Sequence, residues 1–416
     1  MRGVLLELDS TCGPVDLTDP ESFALGQPWE SYRWLREHDP VHFHPETDGP
    51  GFWAVTRYAD VRTVSRDTRT YSSWLGGVTA GDSSPKQLAG QRQMLLYMDA
   101  PDHVRHRRLV SATFTPRAIR SWEVRVDKRA ATIVDAVAER GECDLVSDIA
   151  SELPTQVVAD LMGIPSDDGS HLAHLTEIMH SNNMSMHDKD RTAAAEEALR
   201  YCRDLAAAKR KSPGDDLATL LVQAEYEGTG LADRELMWFF LLLINAGGDT
   251  TRNLVSGAME ILLQRPDQWA SIVANPDSLM PTAVEELLRF VSPVVHMRRT
   301  AVVETKLGER TIAAGDKVVM FYPSANRDET IWPDADRLNL ARTPNPHMGF
   351  GGGGPHLCLG AHVARLEISA LIGQLARRLP DLQLAGPIRR LTSTFITGPS
   401  RFPIRYTPAR PGRAER

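Results

Sequence analysis

The sequence lacks most of what would indicate secretion, a membrane span or a polyanionic partner. It has four cysteines in 416 residues, at positions 12, 143, 202 and 358, without paired spacing, which argues against a disulfide framework and favours a reducing compartment. Its most apolar run, residues 238–244, is far shorter than the roughly 20 residues that cross a bilayer. The apolar group near the N-terminus is too short for a signal peptide or an anchor. We therefore expect a soluble, cytoplasmic, bacterial protein with no membrane anchor.

The net charge and the distribution of apolar residues along the chain narrow the class of protein further. The net charge of −7 gives no hint of a nucleic-acid partner. No internal repeat and no long linker divides the chain. A helical pattern dominates residues 116–264, and β-branched residues concentrate only near 302–319 and 391–406. The sequence therefore predicts one large, mostly α fold with small β-sheets over residues 1–416, with an ordered core of about 15–408.

The most informative segment is HMGFGGGGPHLCLG, residues 347–360. Four consecutive glycines are conformationally expensive and occur where a backbone approaches something closely or turns with φ > 0. Apolar residues then recur at helical spacing up to Pro380, so Cys358 is expected at a helix N-terminus, where backbone N–H groups stabilise a metal-binding thiolate. A buried structural cysteine is the alternative, but the glycines and His356 favour a ligand.

This segment resembles the haem-binding loop of the cytochrome P450 monooxygenases, Gly-x-His-x-Cys-x-Gly after a Phe-Gly-rich stretch. The resemblance implies the cytochrome P450 fold, haem b as cofactor, and Cys358 as axial ligand of its iron. In that family the thiolate ligand is known to favour cleavage of the O–O bond, and the resemblance implies the same property here. The family's usual phenylalanine position is Gly351 here, with Phe350 one step earlier, as in a subgroup of actinobacterial members. Both residues are expected beside the haem.

A single helix of about 45 Å is predicted over residues 233–264. Its middle carries Ala-Gly-Gly-Asp-Thr-Thr at 246–251, although mid-helix glycines cost about 1 kcal/mol each and a buried aspartate needs partners. A kinked core helix is one explanation, and function is the favoured one. In the resembling family this stretch lies over the distal haem face, which implies Ala246 beside the haem and Asp249 with Thr250 as a catalytic proton relay. Relatives more often have glutamate where this chain has Asp249.

The resemblance also implies two sets of charged residues. The expected ligands of the haem carboxylates are His103, Arg107, Arg299 and His356. Glu286 and Arg289 lie three apart on a predicted helix, where they face each other. With Arg337 they resemble the family's structural Glu-Arg-Arg network, so this set is assigned to the scaffold of the haem loop.

A basic run stands out in an acidic chain: Arg105, Arg107, Arg108, Arg117 and Arg120, joined in the resembling family by Arg365. A solvated surface explains most such runs. The alternative is a docking surface for an acidic ferredoxin. No flavin or nicotinamide motif is evident, so the resemblance implies electrons from NAD(P)H through a ferredoxin reductase and a ferredoxin.

Substrate contacts are expected from apolar residues at the family's positions: Leu243, Ala246, Val294, Val295, Phe395 and Ile396. The segments 73–78 and 179–186 are further candidates, and the methionines of the second suit an adaptable lid. Nearby histidines at 171, 174, 180 and 187 could suggest a metal site, but no carboxylate or cysteine completes a ligand set, so a polar lid surface is preferred.

The predicted reaction inserts one oxygen atom of dioxygen (O2) into a C–H bond of a lipophilic small molecule. The stretches GFWAVTRY near residue 51, TTRN at 250–253 and FITG at 395–398 resemble actinobacterial hydroxylases of sterol side chains and methyl-branched lipids. A steroid, terpenoid or branched lipid is therefore expected. Tailoring of a polyketide or another secondary metabolite is the alternative substrate class, and a peroxide-driven or non-catalytic haem protein is the alternative function.

Overall fold

The computed structural model describes residues 15–180 and 188–410, so Cys12 lies outside it. The helices are α1 (Trp29–His38), α2 (Tyr58–Arg66), α3 (Pro85–Gln91), α4 (Asp102–Ser111), α5 (Pro116–Arg120), α6 (Glu123–Ala138), α7 (Glu152–Met162), α8 (Ser166–His180), α9 (Asp188–Lys211), α10 (Leu217–Gln223), α11 (Asp233–Leu263), α12 (Pro266–Ala274), α13 (Pro276–Val291), α14 (Tyr322–Ala325) and α15 (Ala361–Arg378). The strands are β1 (Val41–His44), β2 (Phe52–Val55), β3 (Tyr71–Ser72), β4 (Glu142–Asp144), β5 (Glu225–Tyr226), β6 (Thr229–Gly230), β7 (His296–Ala301), β8 (Thr305–Leu307), β9 (Arg310–Ile312), β10 (Lys317–Phe321), β11 (Gln383–Leu384), β12 (Arg389–Arg390), β13 (Pro399–Arg401) and β14 (Pro403–Arg405). This confirms the mostly α fold with small sheets.

The largest sheet has the strand order β1-β2-β10-β7-β3, with β10 parallel to β2 and the other pairs antiparallel. In β7, Arg298 pairs with Val319 and Arg299 pairs with Val318. Because neighbouring residues of a strand point to opposite faces, these two arginines diverge. Val319 belongs to one apolar cluster and Val318 to another, so the sheet separates two cores and places Arg299 on the side of Val318.

The predicted long helix is confirmed as the 31-residue α11. Its first half packs with α8, α9 and α10, and its second half packs with α6, α7, α13 and α15. A Cβ at Gly247 would lie 2.3 Å from Cγ2 of Val158 on α7. Close packing of α11 against α7 therefore accounts for Gly247 without a functional reason. A Cβ at Gly248 would meet no atom within 4 Å.

The glycine loop packs against α2. Gly351 has φ +99°, and a Cβ at Gly352 or Gly354 would lie 2.8 Å or 2.9 Å from atoms of Ser65. Only glycine satisfies both the backbone conformation and the close approach. The Cys358 N–H donates to the Phe350 carbonyl at 3.0 Å, and α15 begins at Ala361, three residues later. The predicted position of the thiol just before a helix is confirmed.

Candidate functional site

Two exposed residues in unexpected places indicate an internal cavity. Ala246 lies at the middle of α11 and has exposed surface, although the helix is otherwise part of the core. Cys358 is also exposed by surface area, yet burial strongly affects its thiol. Both observations agree if the exposed surface faces a space inside the protein and not bulk water. Such a space between α11 and the glycine loop has the position expected for a bound haem.

Two opposing effects act on the pKa of the Cys358 thiol: burial and nearby positive charge. Burial raises the pKa of the thiol, while a hydrogen bond from the Gly360 N–H and the charges of Arg107 and Arg365 lower it. The net pKa is above its ordinary value. A metal ion is the strongest stabiliser of a thiolate, since a coordinating thiol is deprotonated outright. The donor set of this loop therefore fits one metal-bound sulfur.

Four cationic or donor side chains lie together beside this loop, and we call them the cation cluster: His103, Arg107, Arg299 and His356. The rings of His103 and His356 are 4.2 Å apart between centroids. Arg107 donates from Nη2 to the Leu357 carbonyl at 2.6 Å. Arg299, only 2% exposed, donates from Nη1 to the Arg298 carbonyl at 2.9 Å, and its Nε has no partner. The structure thus brings together all four residues that the sequence predicted.

No member of the cation cluster forms an ion pair with a carboxylate among residues 15–180 and 188–410. Burial, followed by the charges of Arg107 and Arg299, lowers the pKa of His103 to about 4. Burial, followed by Arg299, His103 and Arg107, lowers the pKa of His356 to about 2. The two histidines are therefore neutral donors, and the charge of the cluster resides on Arg107 and Arg299. Buried charges are normally paired, so these two arginines lack an anion within the described residues. This set of donors fits a cofactor that carries carboxylates, such as haem b.

Ser73 was missing from the set of residues named individually. Its hydroxyl lies 3.3 Å from Nε2 of His356, and the residue is fully buried. Its N–H donates to Asp99 at 2.8 Å, which fixes the hydroxyl beside the cation cluster. In the sequence, Ser72 and Ser73 are adjacent in the stretch SSWLGG, a pattern that does not indicate which serine faces the site.

The predicted relay residues are neighbours on α11 but face different spaces. Thr250 donates its hydroxyl to the Ala246 carbonyl at 3.0 Å, so these two residues share one side of the helix. Gly248, Asp249 and Arg252 line a partly open cavity of about 310 Å³ between α7, α8 and α11. At 3.6 residues per turn this cavity lies largely on the other side. Asp249 therefore borders this cavity, and Thr250 lies on the Ala246 side of the helix.

Asp249 is paired within its own helix. Arg252 Nη1 lies 3.4 Å from a carboxylate oxygen of Asp249 and 3.8 Å from one of Glu177 on α8. The partly exposed side chain of Asp249 thus shares an arginine with the more exposed carboxylate of Glu177. Arg252 had a short-range signal, because it lies three residues after Asp249 on the same helix. Glu177 had none, because a contact between two helices leaves no short-range pattern.

Glu367 on α15 is a second carboxyl near the relay. It is 2% exposed. Burial raises its pKa to about 8, partly offset by a hydrogen bond with Thr251, the neighbour of Thr250. A signal for it existed in the sequence, since Val363, Glu367 and Leu371 recur at four-residue steps and share one helix face.

One member of the scaffold network differs from the prediction. The network consists of Glu286, Arg289 and Arg342. Glu286 and Arg289 are both fully buried and form two hydrogen bonds of 2.8 Å. The third side chain is that of Arg342, whose Nε lies 3.2 Å from both carboxylate oxygens of Glu286. Arg337 was predicted instead, but its side chain is exposed and it contributes only its carbonyl, which accepts from Arg342 at 3.1 Å. The chain turns back after Arg337, so the arginine five residues later reaches Glu286.

The network also binds the backbone that precedes the glycine loop. Arg289 donates from Nη1 to the carbonyls of Asn326 and Ala335, each at 2.8 Å. Burial raises the pKa of Glu286, but hydrogen bonds and charge from Arg289 outweigh it, and the net pKa is lowered. Glu286 is therefore an anion within its network.

Two of the predicted substrate contacts are brought together by the backbone. Val294 and Ile396 form an antiparallel bridge. Leu243, Val294, Phe395 and Ile396 all keep partial exposure. Val295 is fully buried in a core cluster with Leu17 and Phe321. Its side chain points away from that of Val294, as strand alternation requires, so the prediction that it contacts substrate is wrong. Of the predicted lid, residues 181–187 lie outside the described residues.

Several cations of the basic run have partners. Arg365 binds Glu285 at 2.6 Å and 2.8 Å, Arg105 lies 3.5 Å from Glu235, and Arg107 belongs to the cation cluster. The remaining three are exposed: Arg108, Arg117 and Arg120. Arg108 donates to the Tyr226 hydroxyl at 2.9 Å.

Two further observations limit the alternatives within residues 15–180 and 188–410. No group of three or more His, Cys, Asp or Glu side chains is arranged to bind a metal ion, and His171 instead pairs with Glu197 at 2.8 Å. His187 lies outside this part of the chain. None of the helices described is both long and apolar enough to span a membrane.

Comparisons with known proteins agree with this geometry. The sequence model for cytochrome P450 matches residues 172–380. A steroid C26-monooxygenase of Rhodococcus jostii (strain RHA1) is 36% identical over 406 residues, covering 95% of this chain and 86% of the relative. A methyl-branched lipid omega-hydroxylase of Mycobacterium tuberculosis (strain ATCC 25618 / H37Rv) is 38% identical, covering 91% of this chain and 90% of the relative.

Solved structures show the same likeness. A Mycobacterium marinum cytochrome P450 in complex with pseudoionone has a TM-score of 0.88 and 38% identity, covering 96% of this chain and all of that one. A Bacillus megaterium structure in complex with testosterone has a TM-score of 0.83 and 28% identity, covering 93% of this chain and 99% of that one. With a glycine loop that presents one thiol, an anion-deficient cation cluster and these relatives, the chain belongs to the cytochrome P450 family and is a haem-dependent monooxygenase.

Proposed function

We propose that Cys358 is the thiolate ligand of the haem iron and that the cation cluster binds the haem carboxylates. The observation that carries this proposal is a set of four donors, two of them buried, that form no ion pair with a carboxylate among residues 15–180 and 188–410 and lie beside the glycine-rich loop that presents a thiol. Phe350 and Gly351 belong to the same loop and would lie against the haem, as would Ala246 opposite. When bound, haem with a thiolate ligand supplies the oxygen-activating chemistry.

Asp249 and Thr250 are proposed to move protons. The Asp249 carboxylate borders the partly open cavity between α7, α8 and α11, where it can exchange protons with solvent. The Thr250 hydroxyl lies on the Ala246 side and can pass a proton at its Oγ1. Positioned acid–base groups of this kind typically contribute about 10²- to 10⁴-fold in rate.

The substrate is proposed to be a steroid or a methyl-branched lipid that is hydroxylated at a C–H bond. Relatives at 36% and 38% identity carry those activities in their names. The side chains of Leu243, Val294, Phe395 and Ile396 are apolar and partly exposed, which suits a lipophilic ligand.

Electrons are proposed to come from NAD(P)H through a ferredoxin reductase and an acidic ferredoxin in the cytoplasm. The exposed Arg108, Arg117 and Arg120 support a docking surface on α4 and α5. α5 contacts α15, the helix that follows Cys358, so this surface lies on the thiolate side. Cys143, Cys202 and Cys358 are all unpaired, as expected in a reducing compartment.

A ligand panel tests the substrate class. Steroids, methyl-branched fatty acids, terpenoids and polyketides would be titrated into the holoprotein while the haem spin state is followed by absorbance. We expect steroids or branched lipids to bind with the lowest Kd and to be hydroxylated. Preferred binding and turnover of a polyketide would instead assign a tailoring role.

Paired variants test the relay. Thr250→Ala should keep haem content and substrate binding while product formed per NAD(P)H falls sharply, because the proton donor beside the site is lost. Asp249→Asn should slow turnover as a whole. Ser256→Ala is the matched control, since Ser256 also donates to the carbonyl four residues earlier on α11, at 2.7 Å, but is buried. Unchanged rate and coupling in both relay variants would overturn the relay assignment, whereas wild-type protein that forms product only with added peroxide, or none at all, would favour a peroxide-driven or non-catalytic haem protein.

A further inference from the structure

Tyr322 is a buried residue whose hydroxyl has no hydrogen-bond partner in the part of the chain that the structure describes. It is 6% exposed and begins α14, directly after β10. Its N–H donates to the Val295 carbonyl at 3.0 Å, so the backbone is fixed. The hydroxyl forms no hydrogen bond with any other residue in 15–180 or 188–410. Buried tyrosine hydroxyls usually have a partner, so this one calls for an explanation.

The hydroxyl lies where the glycine loop and the cation cluster meet. A Cβ at Gly351 would be 3.9 Å from the Tyr322 hydroxyl oxygen, which places that oxygen against the haem loop. Arg299 is close enough for its charge to act on Tyr322, and Tyr322 acts on Arg299 in return. The Tyr322 O–H and the Arg299 Nε–H, the latter buried without a partner among the described residues, therefore lie in the same corner of the site.

The protonation state of Tyr322 suits a donor and not an acceptor. Burial raises the pKa of the phenol, and the nearby charge of Arg299 only partly offsets it, so the net pKa is above its ordinary value. The hydroxyl keeps its proton at neutral pH. A guanidinium and a phenol that both donate in one direction match a carboxylate, because an ionised acceptor forms short, strong bonds with O–H groups.

We propose that the Tyr322 hydroxyl donates a hydrogen bond to the haem carboxylate bound by Arg299, which makes Tyr322 a fifth member of the carboxylate-binding set. This inference rests on the proposed haem-binding role of the cation cluster and extends it to a neutral donor. The Tyr322 hydroxyl is a neutral donor, so salt does not screen its hydrogen bond to the carboxylate. It also keeps its proton near neutral pH, so the bond does not depend on pH in that range. Tyr322 binds the cofactor and takes no part in the proton relay.

The test is Tyr322→Phe in the holoprotein, which removes one oxygen and leaves the ring in place. Two readouts besides activity are measured: the rate of haem transfer to excess apomyoglobin, and the carboxylate bending bands of the haem in the resonance Raman spectrum. We expect transfer to be about tenfold faster, as for loss of a hydrogen bond to a charged group, together with a shift of one bending band. Tyr32→Phe is the control, since its buried hydroxyl bonds Gln27 at 3.0 Å in a different core cluster, and neither readout should change.

Arg299→Gln, measured in parallel, separates two kinds of failure. If Arg299→Gln accelerates haem loss but Tyr322→Phe leaves both readouts at the wild-type value, the cation cluster binds haem and the Tyr322 assignment is wrong. If Tyr322→Phe accelerates haem loss without moving a bending band, the hydroxyl acts through packing and the assignment is also wrong. If Arg299→Gln itself has no effect, the proposed binding of haem by the cluster fails first.

Discussion

Arg289 and Arg299 are both arginines buried in the core, at 0% and 2% exposure, and they differ in their partners. Arg289 has the Glu286 carboxylate at 2.8 Å and two backbone carbonyls. Arg299 has a single carbonyl and an Nε without a partner. The first is satisfied by the chain itself. The second is not, and its neighbours are further donors.

Pairing, and not burial, separates the scaffold from the binding site in this protein. A buried charge without its partner is costly, so a chain that leaves several donors unpaired in one place is adapted to an anion from outside. The two sets lie on neighbouring elements, since the scaffold network binds the backbone after β10 and the cation cluster includes β7 next to it. The comparison predicts opposite responses to substitution.

The largest effect is expected from Glu286→Gln. It leaves the Arg289 guanidinium buried without an anion, so the free energy of unfolding should fall by about 3–5 kcal/mol, measured by urea denaturation of the holoprotein. Arg337→Ala is the control, because that exposed side chain is outside the network and its loss should cost less than about 0.5 kcal/mol. Equal losses in the two variants would restore Arg337 to the scaffold.

Arg299→Gln should behave in the opposite way. The free energy of unfolding of the haem-free chain should stay the same or rise, because an unpaired buried charge is removed. Haem transfer to apomyoglobin should become about 10- to 100-fold faster, as for loss of charge-assisted hydrogen bonds. A variant that is destabilised without haem and keeps its haem normally would show that Arg299 belongs to the scaffold.

Exposed arginines form a third class, beside the buried arginines of the scaffold and of the cation cluster. Their substitution should have a smaller effect. Arg108→Glu combined with Arg117→Glu should slow reduction by an acidic ferredoxin by about tenfold at low salt, with substrate affinity unchanged. Stopped-flow reduction at increasing ionic strength should bring the variant and wild type together, because salt screens exposed charges. Reversal of Arg200 and Lys211, both exposed on α9, is the matched control. Equal rates for all three proteins would leave α4 and α5 as ordinary solvated surface.

The smallest effect is expected at the partly exposed pair of Glu285 and Arg365. Burial raises the pKa of Glu285, but hydrogen bonds from Arg365 and His347 outweigh it and lower the pKa from 4.5 to about 2. A carboxyl whose folded-state pKa is depressed stabilises the fold above its unfolded pKa and loses that contribution as pH falls through the folded value. Urea unfolding between pH 5 and 3 should therefore show a weaker acid dependence in Glu285→Gln. An identical dependence in the variant and wild type would mean that this pair does not contribute.

Local signals in the sequence were sufficient for the fold class, α11, the glycine loop and the position of Cys358. Each depends on neighbours within a few residues: helical periodicity over 31 residues, or four glycines before one thiol. The cation cluster was also predicted, but through resemblance, because its members come from α4, β7 and the loop before α15. No spacing in the chain indicates that these meet.

The errors have a common physical origin. Arg337 was predicted where Arg342 binds Glu286, because the path of the chain after Asp336 decides which arginine turns inward. Val295 was predicted to contact substrate with Val294, but a strand points adjacent residues to opposite faces, and the strand register was unknown. Tyr322 gave no signal, since a buried tyrosine is ordinary until its hydroxyl is found without a partner.

The most direct test of the account is the absorbance spectrum of the reduced, CO-bound holoprotein for wild type, Cys358→Ala, Cys143→Ala and Cys202→Ala. We predict the strongly red-shifted Soret band of thiolate ligation in wild type and in the variants at 143 and 202, because Cys143 lies in β4 and Cys202 is buried on α9, and neither belongs to the glycine loop. The band should disappear in Cys358→Ala. Its persistence in Cys358→Ala would show that another cysteine binds the iron and would contradict the assignment of the glycine loop.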